Sequence, residues 1–307
     1  MSGVLAPMDR RTTHGLPVHL ICHVPKCAGH TIDRHLERLL PPGAYHGTKK
    51  RRGIRRFLST RQDIEAMPDP TRIRAVCGHF LGISIESSFA GRALKRSILL
   101  RDPVSHAVSY YNFRMMRYLS EGLNPYSFKL AYAATQRNFV THYILRNFLE
   151  LPWSRLASLS DDEKYEIVNA FLATFWFVGD YRLCDELVAA LAGELGISRQ
   201  APKRNTRAEW ERRVNWRPLE MGELPAGVIM RIRRENPIDQ MLWEGWREAR
   251  HDTASTRLSK LGRRSASSFI ATEAMRLVSQ IVRRIERRRR GFEVPQAPVA
   301  QDLGLHV

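Results

Sequence analysis

The chain of 307 residues is poor in cysteine and lacks a complete triphosphate-binding loop. Its four cysteines show no C-x-x-C spacing, and no His/Cys/Asp cluster suggests zinc ligands, so we expect no metal site. Unpaired cysteines between apolar residues fit a reducing compartment. The lysine at position 26 comes before the only nearby glycine, whereas a Walker A loop places it after the second glycine. This order disfavours binding of a nucleoside triphosphate.

Long hydrophobic runs are also missing. No stretch approaches the roughly twenty apolar residues that a membrane-spanning helix needs. Residues 1–15 include Asp9, Arg10 and Arg11 and contain no apolar core of the kind that an export signal carries. We therefore expect a cytoplasmic protein. Any association with a membrane should be peripheral, at the inner membrane face.

Acidic residues are outnumbered, with 31 Asp and Glu against 49 Lys and Arg and a formal net charge of +18. The electric field of such a positive charge attracts polyanions, but it does not distinguish a phosphorylated nucleotide from an acidic glycan, an anionic membrane or a nucleic acid. The chain has no zinc-finger spacing and no aromatic-rich nucleic-acid motif, so we expect no specific nucleic acid partner. The hydrophobic content of 43% is ordinary for a globular protein.

A first motif follows an apolar run near the N-terminus. Residues 18–22 lack helical spacing, which predicts a buried strand. Apolar residues after Gly29 recur at helical intervals, so the intervening loop exposes backbone N–H groups at a helix N-terminus, where anions bind. The alternative is an ordinary strand-to-helix turn. The predicted phosphate loop consists of Pro25, Lys26, Cys27, Ala28, Gly29, His30 and Thr31.

A second motif follows the predicted strand 97–100. Asp102 is a good helix N-cap and Pro103 a good first helical residue, so a helix should begin here. The helical spacing directs Ser109 back toward Arg101 at the strand end. A guanidinium and a hydroxyl match the oxygens of a phosphate, although the alternative is that Arg101 and Asp102 only cap the helix.

Together the segments P-K-C-A-G-H-T and R-D-P-x-x-x-x-x-S resemble the two motifs of sulfotransferases that use 3′-phosphoadenosine 5′-phosphosulfate (PAPS). The carbohydrate sulfotransferases of the heparan sulfate 2-O-sulfotransferase type are the nearest likeness. This resemblance implies that residues 25–31 bind the 5′-phosphosulfate and that Arg101 and Ser109 bind the 3′-phosphate. It also implies that Lys26 stabilises the leaving oxygen. The family usually has a small or hydroxyl residue in place of His30 and often a second arginine in place of His106.

The resemblance extends to a Gly-His pair at the end of a short apolar run, residues 73–78. Sulfuryl transfer to a hydroxyl needs a base, and a group with a pKa near 6.5 suits that task. In the 2-O-sulfotransferases this pair carries the proposed base, which implies His79 here. The alternative is structural, since a lone histidine at a strand end is more often a satisfied structural residue. His23, His30 and His106 are rival bases.

Alternating strands and helices predict an α/β fold with a central parallel sheet and helices on both faces, and the resemblance makes it a three-layer, P-loop NTPase-like fold. The sequence V-G-D at 178–180 is followed by apolar residues at helical spacing, which predict a helix that ends near Gly196. This strand and helix resemble a late strand and helix of the family. Lys203 and Arg204 then match a basic loop that closes over the nucleotide, although basic loops are usually only solvated. The resemblance implies a hydroxyl acceptor on a glycan or glycolipid. The missing anchor departs from the animal Golgi enzymes and suggests a bacterial relative.

We divide the chain into a flexible N-terminus (1–16), a catalytic domain (17–250) and a basic tail (251–307). Within the tail, the spacing of apolar residues over 270–290 predicts an amphipathic helix, whose apolar stripe is flanked by arginines. Such a helix can lie on an anionic membrane or dock on its own domain or a partner. The remainder of the tail is predicted to be disordered. A P-loop-type kinase of a small molecule and a non-catalytic polyanion binder are the alternative functions.

Overall fold

The computed structural model describes residues 15–47, 56–199, 216–248 and 250–251. The strands are β1 (Val18–Cys22), β2 (Tyr45–Gly47), β3 (Ala75–Gly78), β4 (Leu94–Leu100), β5 (Phe177–Asp180) and β6 (Arg250–His251). The α-helices are α1 (Gly29–Leu39), α2 (Arg56–Glu65), α3 (Pro103–Ser120), α4 (Phe128–Ala133), α5 (Phe139–Asn147), α6 (Trp153–Ser158), α7 (Asp161–Leu172), α8 (Cys184–Leu195), α9 (Ala226–Glu235) and α10 (Pro237–Trp246). Short 3-10 helices span Pro70–Arg72, Ile83–Phe89, Tyr181–Leu183 and Met221–Glu223.

The strands form one sheet in the order β2-β3-β1-β4-β5-β6. The first five strands in that order are parallel, and β6 pairs antiparallel with β5 at the edge. In the centre, Cys22 at the end of β1 lies opposite Gly78 of β3 and Ile98 of β4. The expected α/β fold with a parallel sheet is confirmed. Since β1, β3, β4 and β5 end at one edge of the sheet, the residues that follow them meet there.

The central strands are buried as the apolar runs predicted. All residues of β1 and the last five of β4 are buried. Strands covered on both faces need continuous apolar sequence, so this burial explains the lack of polar alternation. A second, smaller core cluster packs α3 against α4 and α9. Its buried members are Val104, Val108, Tyr132, Leu224 and Ile232.

The helix boundaries read from local signals are confirmed. The Asp102 carboxylate accepts hydrogen bonds from the Val104 and Ser105 amides, at 3.0 and 3.3 Å, and starts α3. Helix α8 ends before Gly196, whose φ of 68° is the left-handed conformation that glycine adopts freely. These boundaries place Arg101 at the sheet edge, directly before α3.

A buried polar network joins the starts of α5 and α10. The Asp239 carboxylate accepts bonds from the amides of Val140 and Thr141 at 2.9 and 2.8 Å. In return, Asn138 accepts bonds from the amides of Ile238 and Asp239 at 3.1 and 3.3 Å. Each helix thus caps the other across about a hundred residues of chain, which fixes α5 and α10 together.

No helix within the described residues combines the length and the apolar composition that a membrane span needs. The segment 270–290, to which we assigned an amphipathic helix, lies outside the described residues, as does nearly all of the N-terminus 1–16.

Candidate functional site

The loop between β1 and α1 has an unusual backbone. Lys26 and Ala28 adopt positive φ angles of 67° and 61°, a region that non-glycine residues seldom occupy. Such conformations cost free energy and are found at ligand clamps, where the surrounding structure enforces them. The amide of Thr31 donates to the carbonyl of Ala28 at 3.0 Å. The amides of Gly29 and His30 belong to the first turn of α1, where no intrahelical acceptor exists, so they suit an anion.

Glycine is required at position 29 by close packing. A Cβ atom on Gly29 would overlap the imidazole ring of His23. The loop is therefore held from one side by the ring of His23. From another side it is held by His106, whose Nε2 lies 3.0 Å from the carbonyl oxygen of Pro25.

Arg101 connects the two motifs. Its Nη1 donates to the carbonyl oxygen of Lys26 at 2.9 Å, and its Nε donates to Ser105 Oγ at 2.5 Å. The guanidinium also lies over the ring of Tyr181, 3.9 Å from its centre. A guanidinium has five N–H donors, so these two bonds leave three for a bound anion.

The side chain of Lys26 lies in a partly desolvated, cationic setting. Its Nζ is 4.5 Å from the centre of the Phe113 ring. Burial, and then the charge of Arg101, lower its pKa from 10.5 to about 8. A bound anion would offset the charge of Arg101, so an anionic ligand would stabilise the charged form of Lys26.

A cleft of about 420 Å³ opens between these residues. That volume is typical of a small-molecule site, for which roughly 300–1,000 Å³ is usual. The cleft is lined by Lys26, Arg101, Ser105, Val108, Ser109, Asn112, Tyr181, Arg182 and residues 218–221. The structure thus brings Lys26, Arg101 and Ser109 to one cleft at the carboxyl ends of β1 and β4.

The far wall of the cleft was not predicted from the sequence. Asn112 of α3 donates from Nδ2 to the carbonyl of Leu219 at 2.9 Å and accepts from the Leu219 amide at 3.0 Å. This pair of bonds fixes residues 218–221 beside α3. Tyr181 and Arg182 follow β5, so the rule that ligands bind at the carboxyl ends of parallel strands could have identified them.

His79 lies outside the group of residues that line the cleft. Its ring stacks on that of His23, with centroids 4.0 Å apart and planes inclined by 27°. Its Nδ1 lies 2.8 Å from the carbonyl oxygen of His23, and its own carbonyl accepts a bond from the Tyr143 hydroxyl at 2.8 Å. His79 is therefore connected to the phosphate loop through His23, whose ring also packs against Gly29.

The other predicted loop residues have distinct surroundings. His106 is buried, and burial lowers its pKa to about 4, so its ring is neutral where it supports the loop. The ring stacks on that of Phe139, with centroids 5.0 Å apart. Burial raises the pKa of the Cys27 thiol to about 12, which makes it a poor nucleophile. His30 is exposed, with Nδ1 4.0 Å from the Asp33 carboxylate. Lys203 and Arg204 lie outside the described residues.

The carboxylates at the ends of β4 and β5 have structural partners. Asp102 caps α3, as described above. Asp180 accepts bonds from Trp243 Nε1 at 2.6 Å and from the Arg182 amide at 2.9 Å. Both carboxylates therefore hold local structure at the ends of β4 and β5.

No protein-family model, curated protein or solved structure matches the chain. What the site can do therefore follows from its own chemistry. Two cations, Lys26 and Arg101, and the hydroxyl of Ser109 face one cleft beside a helix N-terminus, an arrangement suited to an anionic ligand.

Proposed function

We propose that this chain is a sulfotransferase that moves a sulfuryl group from PAPS to a hydroxyl acceptor on a carbohydrate or glycolipid. The observation that carries the proposal is that Lys26 and Arg101 line one cleft at the ends of neighbouring strands. PAPS carries a phosphosulfate at its 5′ end and a phosphate at its 3′ end, so one molecule can offer a separate anionic group to each cation.

The fold that we propose is the three-layer arrangement of P-loop NTPases, with helices on both faces of the sheet. The five parallel strands support it, as does the anion-suited loop that joins the central strand β1 to α1. In this arrangement the loop 25–31 holds the 5′-phosphosulfate through the N-terminus of α1.

In the reaction, the acceptor oxygen forms a bond to sulfur while the bond from sulfur to the bridging phosphate oxygen breaks. The electron pair of that bond goes to the phosphate, and Lys26 stabilises the charge that develops there. His79 takes the proton of the acceptor hydroxyl. The products are a sulfate ester and adenosine 3′,5′-bisphosphate. By analogy with phosphoryl transfer, the transition state is loose, so positioning and charge stabilisation account for most of the rate.

Arg101 and Ser109 bind the 3′-phosphate in this account. The three remaining N–H donors of Arg101 can bind two phosphate oxygens, and the hydroxyl of Ser109 adds a further donor. Tyr181 supports the guanidinium through their contact of 3.9 Å. Arg182, which shares the cleft, supplies additional positive charge. Lys203 and Arg204 remain our proposal for a loop that closes over the nucleotide.

The cellular setting is proposed on chemical grounds. All four cysteines are free thiols, which suits a reducing cytoplasm. We propose that residues 270–290 bind anionic membrane from that side. Full-length protein should then bind phosphatidylserine-containing vesicles more tightly than protein that ends at residue 269. Equal binding would exclude this role for the segment.

The activity is tested by incubating purified protein with PAPS carrying a radioactive sulfate and a panel of polysaccharides, oligosaccharides and glycolipids. We expect label in an acceptor and release of adenosine 3′,5′-bisphosphate. An ATP-dependent transfer to the same acceptors would support the kinase alternative. Binding that is spread over many basic groups, strongly dependent on salt and without turnover would support the polyanion binder.

A further inference from the structure

We propose that His23 is a positioning residue that orients His79 and joins it to the phosphate loop. The inference rests on the proposed function, in which His79 is the base. The sequence offers His23 only as a rival base, and its ring packs against Gly29; a role in orienting His79 goes beyond both.

The neutral ring of His79 carries its proton on Nδ1. A carbonyl oxygen has no hydrogen to donate, so the contact of 2.8 Å between His79 Nδ1 and the His23 oxygen requires a proton on Nδ1. In the neutral ring the other nitrogen, Nε2, then carries the lone pair. The proton of the acceptor hydroxyl must therefore go to Nε2 of His79.

The register of the sheet places His23 beside His79. His23 and His79 directly follow Cys22 and Gly78, which lie opposite each other on β1 and β3. The His23 amide also donates to the carbonyl of Gly78 at 2.9 Å. The two histidines are thus held side by side by the main chain, and their rings stack with 4.0 Å between centroids.

The His23 ring also connects the stacked pair to the phosphate loop. The ring of His23 occupies the space that a side chain on Gly29 would need. One face of the loop and the ring of His79 therefore contact the same imidazole. Loss of this ring would remove one packing contact from the start of α1 and one from His79, and displacement of a base by about 1 Å can cost on the order of 10² in rate.

The surroundings favour a neutral His23. Burial, and then the charges of His79, His30 and Lys26, hold its pKa well below the ordinary value. The polar group that reaches this pair from α5 is Tyr143, through its hydroxyl bond to the His79 carbonyl. A neutral His23 adds no charge next to the base, so its ring acts by packing.

The test is a double-mutant cycle on sulfuryl transfer to the best acceptor of the panel, with PAPS as donor. We expect His23→Ala to lower kcat by about 10- to 100-fold, with a smaller change in the KM for PAPS. His23→Phe retains a flat ring and should recover most of the loss. In a His79→Ala background, His23→Ala should lower kcat by much less than in the wild type, because the part of its effect that acts through His79 is already lost.

The matched control is the substitution His142→Phe on α5; burial, and then the charge of Lys164, lower the pKa of His142. It should leave kcat unchanged. Additive effects of His23→Ala and His79→Ala would overturn the proposal, and so would a full loss of activity in His23→Phe with normal folding.

A spectroscopic arm does not depend on turnover. Nitrogen NMR of the isotope-labelled protein should show His79 protonated at Nδ1 and unprotonated at Nε2, with the resonances assigned from the His79→Ala variant. His23→Ala keeps the main-chain carbonyl at this position but removes the ring stacked on His79, so His79 should shift away from the carbonyl and the two tautomers should mix. A wild-type ring protonated at Nε2 overturns the proposal. Absence of sulfuryl transfer with a normal His79 spectrum would instead refute the proposed function.

Discussion

Arg101 donates a hydrogen bond of 2.9 Å to the main-chain carbonyl oxygen of Lys26. The two residues are 75 positions apart in sequence and belong to different motifs. Because the bond involves the backbone of Lys26, it helps to hold the left-handed conformation at that position. The loop that is proposed to bind one end of the donor is therefore shaped by the residue proposed to bind the other end.

Substitution of Arg101 should weaken donor binding in a way that lysine cannot restore. Arg101→Ala removes a charge-assisted contact, worth about 1.5–3 kcal/mol, so the Kd for adenosine 3′,5′-bisphosphate should rise roughly 10- to 150-fold. Arg101→Lys should bind the nucleotide nearly as weakly as Arg101→Ala, since an ammonium has no planar fork with which to bind Lys26, Ser105 and a phosphate together. Calorimetry checks both variants. Arg146→Ala, which removes an equal charge beside Trp153, is the control and should bind normally.

Lys26→Ala should slow sulfuryl transfer by about 10²–10³-fold or more, because one preorganised donor at the developing charge is lost. The measurement is kcat at saturating PAPS. Lys95→Ala serves as the matched control, since Lys95 pairs with Glu194 at 2.6 Å and is absent from the cleft lining. A fully active Lys26→Ala protein would remove Lys26 from the mechanism.

The alkaline limb of the pH profile should report Lys26. Its pKa of about 8 in the free protein means that the ammonium is charged below that pH and loses its proton as the pH rises. We therefore expect kcat/KM for PAPS to fall with a midpoint near pH 8. Lys26→Arg keeps its charge across this range, so the fall should vanish even though the maximal rate is lower. An identical alkaline limb in Lys26→Arg would assign that limb to another group.

The buried caps between α5 and α10 should contribute substantially to stability. Asp239→Ala removes the acceptor for the amides of Val140 and Thr141 and leaves buried donors without a partner. We expect the free energy of unfolding in urea to fall by about 1–4 kcal/mol, the combined scale of a lost N-cap and of orphaned buried donors. Glu166→Ala, at an exposed position of α7, should change it by no more than about 0.5 kcal/mol.

The elements that the sequence predicts correctly are those with local signals. The apolar run of β1, the Asp-Pro start of α3 and the glycine at the end of α8 are each encoded within a few residues. The edge strand β2 was missed because it is three residues long and only partly buried, so it has little apolar signal. The caps between Asn138 and Asp239 depend on pairing across the fold, which no local pattern contains.

The candidate site divides in the same way. The residues Lys26, Arg101 and Ser109 could be identified from motifs, because each follows a strand that ends at the same edge. The wall at Leu219 could not, since it depends on one asparagine side chain in contact with a distant backbone. The stack of His23 on His79 follows from the register of β1 and β3, which is visible only once the strands are paired.

The most direct test of the account is a crystal structure of the protein with adenosine 3′,5′-bisphosphate. The account predicts one molecule in the cleft, with its 5′-phosphate at the N-terminus of α1 beside Lys26 and its 3′-phosphate on Arg101 and Ser109. A nucleotide bound elsewhere, or one that reaches only one of the two cations, would contradict it.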